Sequence, residues 1–155
     1  MTYIIPVGGR SFINHSGKGA TVQAGNEVVS SDDGIAINNS GTGSTIITAT
    51  ELIQGGYDKN QGDTDGIYAF NENSAKDLLL AAKDVLGFDD GVVGVNLGTG
   101  SISISLSGDV AVTTTTLNPD AKNADSESDA HHYGISASNY GTDIEIVATG
   151  DVTSV

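Results

Sequence analysis

The chain has 155 residues, with 20 acidic side chains against 6 basic ones, for a formal net charge of −14. The bases (Arg10, Lys18, Lys59, Lys76, Lys83, Lys122) form no cluster that would neutralise phosphates, which argues against nucleic acid and anionic membrane surfaces as partners. No apolar run approaches the ~20 residues of a membrane-spanning helix, so direct membrane insertion is not expected, and the lack of cysteine rules out disulfides and thiolate metal sites.

From the N-terminus, Tyr3, Ile4 and Ile5 read as an initiating strand, with neither the basic start nor the long apolar region of a signal peptide. Phe12 to Asn14 and the stretch 20–29 read as a degenerate leading unit. A clear pattern then begins. Gly34 is followed by Ile35, Ile37 and Asn39, and the same spacing returns at Gly66, Ile67, Ala69 and Asn71. It returns again at Gly91, Val92, Gly94 and Asn96, and at Gly134, Ile135, Ala137 and Asn139. Each copy continues into an apolar run. The copies close on an acidic-apolar pair: Asp84 and Val85, Asp109 and Val110, Asp151 and Val152, with Glu51 and Leu52 taken as the pair of the first copy. Self-similarity at about 20–25 residues is the mark of a solenoid.

Two insertions interrupt the repeat, at about 54–64 and 113–132. The segment 74–87 carries local helix signals, with Ser74 placed as an N-cap and Gly87 as a stop. The repeat register instead aligns Leu78 and Leu80 with Ile102 and Ile104, and Val85 with Val110, which favours strand. After 150–155 a further unit is expected to begin, and no polar cap is visible, so the chain reads as one solenoid domain, 1–155, cut from a longer protein.

A single unit cannot bury its own apolar face, whereas stacked units cover one another and share a continuous core. The position after each repeat glycine is always aliphatic, and the position two further on is apolar or glycine. The residues between them vary, as solvent-facing sites do. The Asn at the fifth position after each glycine is expected at a corner. There it tolerates left-handed backbone and bonds local main chain. Stacked in register, such side chains can also form an amide ladder.

Chemistry is sparse. Asp33, Asp65 and Asp90 occupy one repeat position, about 5 Å apart if coils stack directly. They form a possible Ca²⁺ column or, more blandly, solvated turn residues. Otherwise no cofactor is expected. Within the second insertion, Asp120, Asp125, Glu127, Asp129, His131 and His132 are the candidate ligand-binding loop. The histidine pair with Glu127 and Asp129 offers transition-metal donors, or a plain acidic surface. No nucleophile elbow, zinc-binding helix motif or phosphate loop is present, so no catalytic residue is assigned.

The unit from Gly134 to Val152, followed by Gly91 to Val110 and Gly34 to Leu52, resembles the passenger repeats of bacterial autotransporters, the type V secreted proteins. Gly66 to Val85 departs from the pattern, with Asn73 at the turn glycine. The resemblance covers about residues 30–155 apart from the insertions. It implies an all-β, right-handed parallel β-helix of about four to five coils, displayed at the bacterial cell surface. Anchoring would come through a C-terminal region absent here. Three functions are then in view. The first is a non-enzymatic passenger that adheres to a host surface protein or glycan, or to copies of itself. The second is a filament subunit stacking end to end through open edges. The third is a carbohydrate-active β-helix enzyme.

Overall fold

A computed structural model of the chain describes residues 1–5, 12–57, 64–112 and 132–154. Among the described residues every regular element is a β-strand, and the strands wind as a parallel β-solenoid. β1 (Thr2–Ile4) comes first. The leading coil is β2 (Phe12–His15), β3 (Ala20–Ala24) and β4 (Val28–Val29), followed by β5 (Ile35–Asn39), β6 (Thr45–Ala49) and β7 (Ile53–Gln54). The third coil is β8 (Ile67–Asn71), β9 (Leu78–Ala82) and β10 (Val85–Gly87). The fourth is β11 (Val92–Asn96), β12 (Ile102–Leu106) and β13 (Val110–Val112). The fifth is β14 (Ile135–Asn139), β15 (Ile144–Ala148) and β16 (Val152–Thr153).

Equivalent strands stack into three sheets. Sheet I runs β2-β5-β8-β11-β14, sheet II runs β1-β3-β6-β9-β12-β15, and sheet III runs β4-β7-β10-β13-β16. The repeat positions coincide with the strand register. Ile35 pairs with Ile67, Ile67 with Val92 and Val92 with Ile135. Their side chains turn inward, and the first three are fully buried. Ile135 is only half-buried, because no coil covers it on the far side.

The segment 74–87 is strand. Leu78 pairs with Ile102, Leu80 with Ile104 and Val85 with Val110. Alternation decides the outcome: Leu78, Leu80 and Ala82 enter the core while Leu79 faces out. A helix there would leave the edges of β6 and β12 unpaired, at a cost that local helix propensity of a few tenths of a kcal/mol per residue does not offset.

The repeat glycines are required by contact. A methyl group at Gly91 would lie 2.5 Å from the Gly134 carbonyl oxygen and 2.6 Å from Val110 Cγ1. The turn of one coil thus rests on both the next coil and the closing valine of its own. The second coil corrects one expected alignment. Val85 pairs with Ile53, and Val28 pairs with Ile53 from the other side, so the closing pair is Leu52 and Ile53 rather than Glu51 and Leu52. Ile53 fills the core and Leu52 takes the place held elsewhere by an aspartate. The outward positions of sheet I are also less exposed than expected. Ala36 is buried between Phe12 and Tyr68 of the neighbouring strands, and Tyr68, Phe70, Val93 and Val95 are half-buried.

Of the two expected insertions, residues 58–63 and 113–131 lie outside the described residues. Gln54 at the border of the first belongs to β7, and Thr64 and Asp65 are buried at its return.

Candidate functional site

Polar side chains run along the solenoid in columns. At the corner between sheets I and II, Asn39 Nδ2 donates to Asn71 Oδ1 at 3.4 Å and Asn71 Nδ2 donates to Asn96 Oδ1 at 3.3 Å. Asn96 Nδ2 then donates to Asn139 Oδ1 at 3.0 Å. Each Asn ends a strand, so these side chains are placed by the ladder rather than by left-handed backbone. Asn39, Asn96 and Asn139 also accept the N–H two residues on, from Gly41, Gly98 and Gly141. His15 heads the column opposite Asn39. It accepts the Gly19 N–H at Nε2 and lies 3.2 Å from the Tyr3 hydroxyl through Nδ1.

The aspartates of the repeat form a second column at the corner between sheets III and I. Asp33 Oδ1 accepts the Asp65 N–H at 2.9 Å and Asp65 Oδ1 accepts the Asp90 N–H at 3.2 Å. Asp90 Oδ1 accepts the Tyr133 N–H at 2.6 Å. A third column repeats the device where sheet II passes into sheet III. There Asp84 accepts from the Asp109 N–H and Asp109 from the Asp151 N–H, both at 3.0 Å. Asp77 does the same for Ser101 at the Asn corner, at 3.0 Å. That backbone bond, with the Ser44 hydroxyl bond next in size, holds the Asp77 carboxyl below its ordinary range. These acids tie coil to coil.

The densest group of titratable side chains among the described residues lies on the second column. Asp65, Asp89 and Asp90 bring carboxylate oxygens within 4.8 Å of one another, and Asp65 is buried. His132 joins them: its Nδ1 lies 2.7 Å from Asp89 Oδ1, in ion-pair contact when the ring is protonated but without hydrogen-bond alignment. Carboxylates at this spacing are a hard-oxygen donor set of the kind Ca²⁺ takes. Two of the three are already engaged by main-chain N–H groups of the following coil, so a structural role accounts for their placement.

The structure therefore brings Asp65 and Asp90 together as expected, adds Asp89, and leaves Asp33 outside the group, tied to the Asp65 N–H. Asp89 was not singled out from the sequence, although the repeat register signals it. Asp90 aligns with Tyr133, so Asp89 aligns with His132. Of the candidate loop, only His132 is described; Asp120, Asp125, Glu127, Asp129 and His131 lie outside the described residues. The structural repeat residues Gly34, Gly66, Gly91 and Gly134 fall where the repeat places them, each directly before the first strand of its coil.

No family of known proteins, no curated protein and no solved structure matches this chain. The likeness to autotransporter passenger repeats rests on the residues alone.

Proposed function

We propose that this chain is a non-enzymatic β-solenoid module of an exported bacterial surface protein, acting in surface display by adhesion or self-association. The observation that carries the reading is the stack of coils itself, tied from coil to coil by asparagine and aspartate side chains along its length. The acidic columns are absorbed in coil-to-coil bonds, which favours a scaffold over a catalytic role. Adhesive contacts to a host surface protein or glycan are assigned to the second insertion, because a long excursion from a regular coil is where a solenoid carries function.

Sedimentation velocity tests self-association. The 155-residue chain is expected to sediment faster as its concentration rises from micromolar to millimolar in high salt, where screening weakens repulsion between acidic chains. A parent chain that stays monomeric throughout removes the self-association reading.

A further inference from the structure

We propose that Asp65, Asp89, Asp90 and His132 bind a divalent first-row transition ion, with the three carboxylates and the His132 imidazole as its ligands. The four residues come from three successive coils. Asp65 leads into β8, Asp89 and Asp90 lead into β11, and His132 leads into β14. One ion at this corner ties those coils together and fixes the point where the chain re-enters the solenoid after 113–131. The site stands whether or not the chain self-associates.

Two observations besides the acidic group point to a cation. The first is the contact of His132 with Asp89. Nδ1 lies 2.7 Å from Asp89 Oδ1, yet it is shut off from solvent and has no hydrogen-bond partner. Two donor atoms so close, and misaligned for a shared proton, are disposed as neighbouring ligands of one ion. The second is the column in which Asp89 stands. Thr64, Asp89 and His132 each precede a repeat glycine by two residues, and the Asp89 N–H donates to the Thr64 carbonyl at 2.9 Å. Thr64 is fully buried, and its hydroxyl also has no hydrogen-bond partner. Among the described residues three buried side-chain polar atoms lack such a partner, and two of them flank Asp89, one in the coil before it and one in the coil after. Buried polar groups are normally paired. An ion on Asp89 stands between the two and gives the His132 lone pair its partner.

The spacing fits. An ion with bonds of about 2.0–2.2 Å holds neighbouring ligand atoms about 3 Å apart and opposite ones about 4.2 Å apart. The carboxylate oxygens of Asp65, Asp89 and Asp90 lie within 4.8 Å of one another, so at its widest the group draws in by about half an ångström. The main-chain bonds already described suit such a site. Asp65 Oδ1 accepts the Asp90 N–H and Asp90 Oδ1 accepts the Tyr133 N–H, and ligating carboxylates are typically oriented by outer hydrogen bonds of this kind. Three carboxylates this close also repel one another, which a cation relieves. The imidazole decides the class of ion. Ca²⁺ and Mg²⁺ take oxygen ligands, whereas a mixed nitrogen and oxygen set suits a first-row transition ion such as Zn²⁺.

Isothermal titration calorimetry of the untagged chain with ZnCl2, repeated with CaCl2, tests the site. The tightest Zn²⁺ site is expected to bind at least about tenfold more strongly than Ca²⁺ does. Asp89→Asn and His132→Ala are each expected to weaken that site by about tenfold or more, with circular dichroism spectra like the parent's. Asp84→Asn, in the third aspartate column, is expected to leave it unchanged. Two further readouts follow the ion directly. Co²⁺ should give visible absorption bands that change with His132→Ala, and Zn²⁺ should raise the melting temperature of the parent more than that of His132→Ala. A parent chain that binds no Zn²⁺, or Zn²⁺ binding that survives both Asp89→Asn and His132→Ala, would overturn the site. Ca²⁺ bound as tightly as Zn²⁺, with His132→Ala without effect, would overturn the imidazole as a ligand and with it the transition ion.

Discussion

Replacing Asn71 by Ala tests the amide ladder at its most engaged member. Asn71 is fully buried. Its Oδ1 accepts the Thr45 hydroxyl at 2.6 Å and the Asn39 amide at 3.4 Å. Its Nδ2 donates to the Asp77 carbonyl at 2.9 Å and to Asn96 Oδ1 at 3.3 Å. After truncation Asn39 keeps Gly43 O and Thr45 Oγ1, and Asn96 keeps the Gly98 N–H. The Thr45 hydroxyl, itself fully buried, loses its acceptor, whereas the Asp77 carbonyl loses the amide but keeps the Thr45 N–H at 2.9 Å. Stranding a buried polar group costs about 1–3 kcal/mol. One such group, together with the net worth of the other bonds lost, gives a loss of roughly 2–3 kcal/mol. Asn71→Asp is nearly the same size but turns the donor into a charged acceptor. It would face the Asp77 carbonyl and Asn96 Oδ1, so it should cost more than the alanine. Urea unfolding followed by far-UV circular dichroism measures both. A loss below about 1 kcal/mol for Asn71→Ala, or an aspartate milder than the alanine, would refute the ladder as a source of stability.

Ile67→Asp puts a charge at a fully buried position in the middle of the stack, and is expected to melt several coils together, seen as a large drop in melting temperature. An unchanged melting temperature would mean the stacking is wrong. The glycines of the fourth coil should part company. Gly91→Ala drives a methyl into the Gly134 carbonyl and Val110 and should cost about 1–3 kcal/mol. A methyl at Gly94 meets only Leu78 Cδ2 at 3.4 Å and Ile104 Cδ1 at 3.5 Å, so Gly94→Ala should stabilise by about 0.5–1 kcal/mol. Urea midpoints that rank the two variants the other way would contradict the contacts. Asp77 supplies a pH dependence. Its carboxyl is held low in the folded chain, so its contribution is present above the ordinary carboxylate range, near pH 4, and is lost as pH falls through the folded value. The stability gap between the parent and Asp77→Asn should therefore narrow from pH 5 to pH 3. A gap that stays constant would show that the charge is not what the Ser101 and Ser44 bonds hold.

Most of the architecture was legible because the repeat carries its own register. Once Gly66 is aligned with Gly91, the pairing of Leu78 with Ile102 and of Val85 with Val110 follows, even against local helix signals. The Asn ladder was legible for the same reason. The first closing pair was misplaced because Glu51 and Leu52 imitate the acidic-apolar pairs of later copies. The pairing of Ile53 with Val28 and Val85, and its burial, distinguish the true register. The backbone-binding role of Asp33, Asp65, Asp84, Asp90 and Asp109 was hidden. A sequence shows that acids align, but not that each carboxylate turns to the following coil's N–H rather than to solvent or a cation. Asp89 is not legible from the sequence because its partner His132 stands across an insertion, where the repeat spacing breaks off.

The most direct test of the solenoid account is the set of contacts between side-chain amides in a nuclear Overhauser spectrum of the folded chain. The account predicts a single series, Asn39 to Asn71, Asn71 to Asn96 and Asn96 to Asn139, linking residues 32, 25 and 43 apart in sequence. It also predicts slowed solvent exchange for the buried Asn71 amide. Contacts between other asparagine pairs, or an Asn71 amide that exchanges as fast as an exposed one, would contradict it.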